Sequence, residues 1–171
     1  MKYQYRDLFN LHPTAKTFLD LGCGQGFVSL YAAARGLEVD AIDKEEETPS
    51  SLQEISKVSY LAADLNTWKP AKKYDIIVAI HSIQFLQKEH ALREFLPSLC
   101  ESLNEGGLLE VFSFTPEEKV LSVPTTYTLE EIALSINSLK ILRQKTFSYE
   151  GMHRELGKHT FHELHVIGKK I

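Results

Sequence analysis

Apolar positions along the chain gather into short blocks of strand length, separated by stretches with helical spacing. Thr17 to Leu21, Leu37 to Ile42, Val58 to Ala62, Asp75 to Ile80 and Gly107 to Phe114 predict five strands. Tyr74-Asp75-Ile76-Ile77-Val78-Ala79-Ile80 is apolar almost throughout, the pattern of a strand covered on both faces of a parallel sheet. Phe27 to Arg35 and Lys88 to Leu103 predict helices, and the alternation of strand and helix predicts an α/β, doubly wound, Rossmann-like domain. Asn104-Glu105-Gly106-Gly107 ends the long helix and opens the fifth strand. Thr128, with Glu131 three residues on, predicts the N-cap of a last helix reaching about Asn137. Leu139 to Tyr149 and Thr160 to Gly168 predict two closing strands. The acidic stretch Lys44 to Ser56 is broken by Pro49, so any helix there is short or frayed. No repeat, low-complexity tract or linker divides the chain, and one domain is expected over residues 1–171, of which 1–14 form a short leading segment.

The end of the first strand carries the most specific chemistry. Asp20-Leu21-Gly22-Cys23-Gly24-Gln25-Gly26 places three alternate glycines between a strand and a helix. Glycines there free the backbone for unusual conformations and clear side chains from the path of a ligand, while the helix start aims its N–H groups at the same place. The spacing G-x-G-x-G differs from the dinucleotide G-x-G-x-x-G and points to a smaller ligand than a pyrophosphate. Asp43 follows the second strand 17 residues after Gly26, close to where a carboxylate grips a nucleotide ribose. Asp64 follows the third strand, and the fourth delivers His81, Ser82 and Gln84 to the same rim.

Composition excludes several classes. The net charge of −4, without a basic stripe, lacks the footprint of a nucleic-acid binder. Neither a signal peptide nor a bilayer-length apolar run is present, and two cysteines, Cys23 and Cys100, make no disulfide framework. The expectation is a cytoplasmic protein, monomer or homodimer, acting on a small molecule with no nucleic-acid or membrane partner. With 43% hydrophobic residues in 171, nearly the whole length is consumed by the core that would bind the ligand.

The glycine loop with Asp20, Asp43 and Asp64 resembles the motifs of class I S-adenosylmethionine-dependent methyltransferases. The resemblance implies a seven-stranded sheet closed by an antiparallel C-terminal hairpin. It implies S-adenosylmethionine as cofactor and S-adenosylhomocysteine as product. The implied cofactor-binding set is Asp20, Gly22, Cys23, Gly24, Gln25, Gly26, Asp43, Lys44, Asp64, Leu65, Ile80 and His81, with Asp64 capping the adenine amino group. The stretch Glu150-Gly151-Met152-His153-Arg154-Glu155, with Phe161 and Gly168-Lys169-Lys170, is similar to the end of the tellurite-resistance methyltransferase family, as Ser29-Leu30-Tyr31 is to its first half. That closer resemblance implies catalytic roles for His153 and Arg154, folded over the site to hold an anionic acceptor such as a tellurite-type oxyanion. Two positions depart from the family. Only Met1 to Thr14 precedes the first strand, which implies a reduced lid, and Thr160 stands where the family tends to place an arginine, leaving Lys158, His159 or Arg143 as replacements.

The implied chemistry is direct displacement at the sulfonium methyl by an acceptor lone pair, so no protein nucleophile is required. A noncatalytic S-adenosylmethionine-binding domain, acting as sensor or subunit, is the alternative. Bland readings stand beside the sharp ones. Cys23 is a small packing residue, His81 and Gln84 satisfy local backbone as readily as they bind, and His153-Arg154 without the resemblance is a surface turn. His159, His162 and His165 alternate faces of a strand, so no metal site is expected. Glu45-Glu46-Glu47 reads as a solvated loop.

Overall fold

The computed structural model describes residues 6–119, 123–153 and 157–171. Its centre is a seven-stranded sheet in the order β3-β2-β1-β4-β5-β7-β6. The strands are β1 (Thr17–Leu21), β2 (Glu38–Asp43), β3 (Val58–Ala62), β4 (Tyr74–Ile80), β5 (Leu103–Phe114), β6 (Lys140–His153) and β7 (Gly157–Lys169). β1 to β5 pair in parallel, and β7 runs antiparallel to both β5 and β6, as the expected closing hairpin requires. The order reverses at β1 and β4, whose carboxyl ends therefore flank a crevice, the usual ligand position in an open α/β sheet.

Apolar residues cover both faces. On one face Leu19, Ile77, Leu109, Leu164 and Val166 pack with Leu96, Leu99 and Ile132 from α4 (Leu96–Glu101) and α5 (Leu129–Ser135). On the other, Phe18, Val39, Ile76, Val78 and Ile167 meet Leu8 of α1 (Arg6–Leu11) and Ala32 of α2 (Phe27–Ala33). The predicted helix from Lys88 to Leu103 is divided. α3 (Lys88–His90) passes through a π-helical segment, Ala91–Phe95, into α4, which stops at Glu101. Pro97 accounts for the change of pitch, because it has no N–H to return to the Arg93 carbonyl and its ring crowds that group. The turn at Asn104 to Gly107 lies inside β5 as an irregularity opposite Asp75, where the Asn104 amide donates to the Asp75 carboxylate at 2.7 Å.

The predicted cap of α5 is a full capping box. The Glu131 N–H donates to the Thr128 hydroxyl at 3.2 Å, and the Thr128 N–H to the Glu131 carboxylate at 2.9 Å. Thr128→Ala is expected to cost about 1 kcal/mol. Urea denaturation should show a lower midpoint with an unchanged slope.

Candidate functional site

The glycine loop at the end of β1 turns through left-handed glycines and is tied by backbone bonds to β2. Gly22, Gly24 and Gly26 have φ of 70°, 51° and 75°, in the left-handed region. The Gly22 and Cys23 N–H groups both donate to the Ile42 carbonyl, at 2.8 and 3.0 Å, which pins the loop to the end of β2. A Cβ on Gly22 would lie 2.4 Å from the Ser82 Cβ, whereas one on Gly24 would meet nothing within 4 Å. Gly22 is thus a contact between β1 and the end of β4, and Gly24 faces open space.

That space is a cavity of about 480 Å³ lined by Gly22, Gly24, Asp43, Lys44, Ala63, Asp64, Leu65, Asn66, His81, Ser82, Phe85 and Leu86. Asp43 clasps its inner edge, accepting from the Gly24 N–H at 2.7 Å through one oxygen and from the Lys44 N–H at 2.8 Å through the other. Asp64 accepts from the Asn66 backbone N–H and side-chain amide, both at 2.9 Å, and these bonds hold its carboxyl below the usual range. Leu65, Leu86, Ala63 and the exposed ring of Phe85 supply an apolar wall.

His81 closes the rim in an unusual conformation. Its φ is 50°, a left-handed value for a residue with a side chain. Its ring centroid stands 4.9 Å from that of Phe114. Burial pushes its imidazole down to about 4, so the ring is neutral at neutral pH. Nε2 lies 3.5 Å from Oε1 of Glu163 on β7, a long contact between a neutral ring and a carboxyl group rather than a formed ion pair.

Other expected site residues lie away from the cavity wall. Asp20 is buried behind the loop and accepts from the Ser29 hydroxyl at 2.6 Å, which ties β1 to α2; burial, opposed by the Ser29 bonds, pushes its carboxyl up to about 6. Cys23 packs against Ala41 and Leu52, and burial pushes its thiol up and keeps it protonated. Gln25 has its carbonyl bonded to the Ser51 hydroxyl, Gly26 starts α2, and Ile80 packs on the sheet face. Gln84 is buried, and its side-chain carbonyl accepts from the Ser113 hydroxyl of β5 at 3.4 Å, a distant side chain rather than local backbone.

His153 ends β6, opposite Gly157. Its ring begins a ladder through Phe161, Tyr149 and Phe147 to Phe112, with successive centroids 6.4, 5.1, 6.1 and 6.0 Å apart. The hairpin leaves the sheet at the same end as the cavity, but Gly157 is six residues along β7 from Glu163, roughly 20 Å of extended strand. His153 is therefore not on the cavity wall, and Arg154 lies outside the described residues. Of the expected replacements for the missing arginine, Lys158 pairs with Glu150 at 2.9 Å and His159 with Glu118 at 2.9 Å. His162 sits on the opposite face, against the Ser148 hydroxyl, and His165 is 2.7 Å from Glu110.

Sequence reasoning did not find Asn66, Phe85, Leu86, Glu163 or Tyr149. Asn66 and Leu86 had a signal in their nearness to Asp64 and His81. Glu163 had none, because a lone acidic residue in an apolar strand reaches the rim only through the register of β5 with β7.

Comparison with known proteins supplies a further set of findings. The family model described as tellurite resistance protein TehB matches residues 10–145. The probable S-adenosyl-L-methionine-dependent methyltransferase TehB of Haemophilus influenzae is 30% identical over 119 residues, covering 66% of this chain and 41% of that protein. The crystal structure of TehB from Haemophilus influenzae superposes with a TM-score of 0.84 at 23% identity, over 97% of this chain and 61% of that one. The structure of Burkholderia thailandensis 1,6-didemethyltoxoflavin-N1-methyltransferase, with bound 1,6-didemethyltoxoflavin and S-adenosylhomocysteine, superposes at 0.72 with 16% identity, over 96% and 75%. At these identities the structural likenesses establish the fold, which is that of class I methyltransferases. The chain spans less than half the length of the curated relatives it matches.

Proposed function

This chain belongs to the tellurite resistance protein TehB family, and from that premise we propose that it is an S-adenosylmethionine-dependent methyltransferase acting on a small anionic or soft nucleophile. The observation that carries the reading is the convergence of the Gly24 N–H, the Asp43 carboxylate and Asp64 on one cavity. The cavity volume, about 480 Å³, is in the range that holds a small molecule. Gly24 leaves its approach clear of side chains. Asp43 accepts from the Gly24 N–H through one oxygen and from the Lys44 N–H and, at 3.4 Å, the Glu45 N–H through the other, and its remaining lone-pair capacity is left for the ribose hydroxyls. Asp64 and Asn66 present polar atoms to an adenine edge, while Leu65, Phe85 and Leu86 exclude water from the ring.

When bound, S-adenosylmethionine supplies a methyl group on a sulfonium, which an acceptor lone pair displaces to leave S-adenosylhomocysteine. The protein's part is alignment and exclusion of water, for which effective molarities of about 10⁵ M or more are known. His153 and Arg154 are proposed to hold the acceptor, with a tellurite-type oxyanion as the first candidate. Arg154 offers two parallel donors to an oxyanion, and His153 one. A noncatalytic binding domain is the second reading, favoured by the place of His153 beyond the cavity wall and by Thr160.

The test is S-adenosylhomocysteine production by the purified protein with tellurite, selenite or a small thiol. Tellurite-dependent turnover that is lost in Arg154→Ala, with cofactor binding intact by calorimetry, is the expected result. Cofactor binding without turnover on any of them would select the noncatalytic reading.

A further inference from the structure

Ser82 follows β4 at the cavity wall and is 4% exposed, and its hydroxyl has no partner among the described residues. A serine in this place has a familiar structural use. It stands directly before the 3₁₀ turn Ile83–Phe85, where a serine oxygen ordinarily accepts from the first N–H groups. No such bond is made. The turn is closed by the main chain instead, with the Phe85 N–H donating to the Ser82 carbonyl at 3.2 Å. Packing does not call for the oxygen either. The close approach to Gly22 is made by the Ser82 Cβ, which lies 2.4 Å from where a Gly22 Cβ would stand, and alanine supplies that atom equally. A buried hydroxyl without a partner lowers stability, so the fold by itself favours alanine here.

The strand order indicates which part of a ligand reaches this hydroxyl. Asp64, Asp43, Gly22 and Ser82 stand at or just past the carboxyl ends of β3, β2, β1 and β4, which are successive neighbours in the sheet. Neighbouring strands are about 4.8 Å apart, so this row is about 14 Å long. With the adenine proposed at Asp64 and the ribose at Asp43, the amino-acid end of the cofactor passes over Gly22 and Gly24 and ends at Ser82. That end carries an ammonium and a carboxylate, and both need hydrogen bonds where water is excluded. Much of the main chain around it is already engaged. The Gly22 and Cys23 N–H groups donate to the Ile42 carbonyl, the Gly24 N–H to Asp43 and the His81 N–H to the Phe112 carbonyl. The His81 ring is neutral, with Nε2 turned toward Glu163 and Nδ1 enclosed. A hydroxyl suits either charged group, since it both donates and accepts.

We propose that Ser82 binds the amino-acid end of the cofactor, its hydroxyl turning about χ1 from its enclosed position into the cavity to take a hydrogen bond there. The turn forfeits nothing, because the oxygen has no bond to give up among the described residues. This role rests on the methyltransferase reading and adds to it a residue that holds the methionyl group of S-adenosylmethionine and of S-adenosylhomocysteine alike. By fixing that end opposite the adenosine, Ser82 also fixes the sulfur between them, and so the position at which the methyl group meets its acceptor.

Ser82→Ala in the whole protein, with two ligands, is the test. S-adenosylhomocysteine carries the amino-acid end and methylthioadenosine lacks it, while adenine, ribose and thioether sulfur are common to both. Calorimetry should show S-adenosylhomocysteine weakened about 10-fold or more, the loss expected for one hydrogen bond to a charged group. Methylthioadenosine should bind the variant as it binds the wild type. Asp43→Ala is the comparison, because its contacts lie in the shared part of the ligands and it should weaken both. Thermal denaturation of the ligand-free proteins adds a readout that a structural role would move the other way, since Ser82→Ala should melt at or above the wild-type temperature. An unchanged affinity for S-adenosylhomocysteine, a matched loss for both ligands, or a lower melting temperature of the ligand-free variant would overturn the role of Ser82 and leave the methyltransferase standing. A wild-type protein that binds neither S-adenosylmethionine nor S-adenosylhomocysteine would overturn both.

Discussion

Gly22→Ala is expected to abolish cofactor binding and to destabilise the protein by about 2–5 kcal/mol. Forcing an alanine to the φ of 70° costs about 1–2 kcal/mol. A Cβ placed 2.4 Å from the Ser82 Cβ adds about 1–3 kcal/mol of overpacking. Neither side can yield cheaply. The Gly22 N–H is bonded to Ile42, and Ser82 is fixed between the strained His81 and a turn in which the Phe85 N–H donates to its carbonyl at 3.2 Å. Gly24→Ala is the informative control, since open space around its Cβ leaves only the conformational cost. It should lose binding by obstructing the ligand while keeping most of its stability. Thermal denaturation beside calorimetry of S-adenosylmethionine separates the two.

Asp43→Ala should weaken S-adenosylmethionine about 100-fold or more, because one side chain serves two structures. The carboxylate clamps Gly24 and Lys44 by bonds of 2.7 and 2.8 Å, and the same group is proposed to take the ribose. Hydrogen bonds to a charged group contribute about 1.5–3 kcal/mol each, so the loss of two accounts for that factor. Asp43→Asn retains one acceptor oxygen and should fall between wild type and alanine. Calorimetry of S-adenosylmethionine and of S-adenosylhomocysteine should show equal losses for both, since neither contact involves the methyl group.

The parts of the site that were legible in the sequence share a physical reason. In a parallel sheet the carboxyl ends of all strands lie on one side, so a residue that follows a strand is placed by the strand itself. Gly22 and His81 come directly after β1 and β4, Asp43 is the last residue of β2 and Asp64 lies just past β3, and all four meet at one cavity. The capping box at Thr128 was legible because both partners are local. Features set by distant pairing were not. Glu163 meets His81 only through the antiparallel register in which Phe114 lies opposite Glu163. The placing of His153 depends on how far the hairpin runs past the sheet, and the strands extend to His153 and Gly157, beyond the expected Tyr149 and Thr160. Pro97 was visible, but its effect, a π-helical segment inside an unbroken stretch, is a compromise between lost hydrogen bonds and the packing of Phe95 and Leu96 that periodicity does not report.

The order of strands also governs when the molecule can be completed during synthesis. β7 is last of the seven in the chain yet lies between β5 and β6. A nascent chain that has emerged only as far as β6 can zip up β3-β2-β1-β4-β5, but it has no neighbour ready for the 14 residues of β6 and leaves β5 as a raw hydrophobic edge. Joining β7 to β5 spans a long stretch of sequence, as in Leu108 with Lys169, and such closures are slow steps exposed to aggregation. The half that holds the glycine loop is thus assembled early, and Glu163, which backs His81 at the cavity rim, arrives with the last strand.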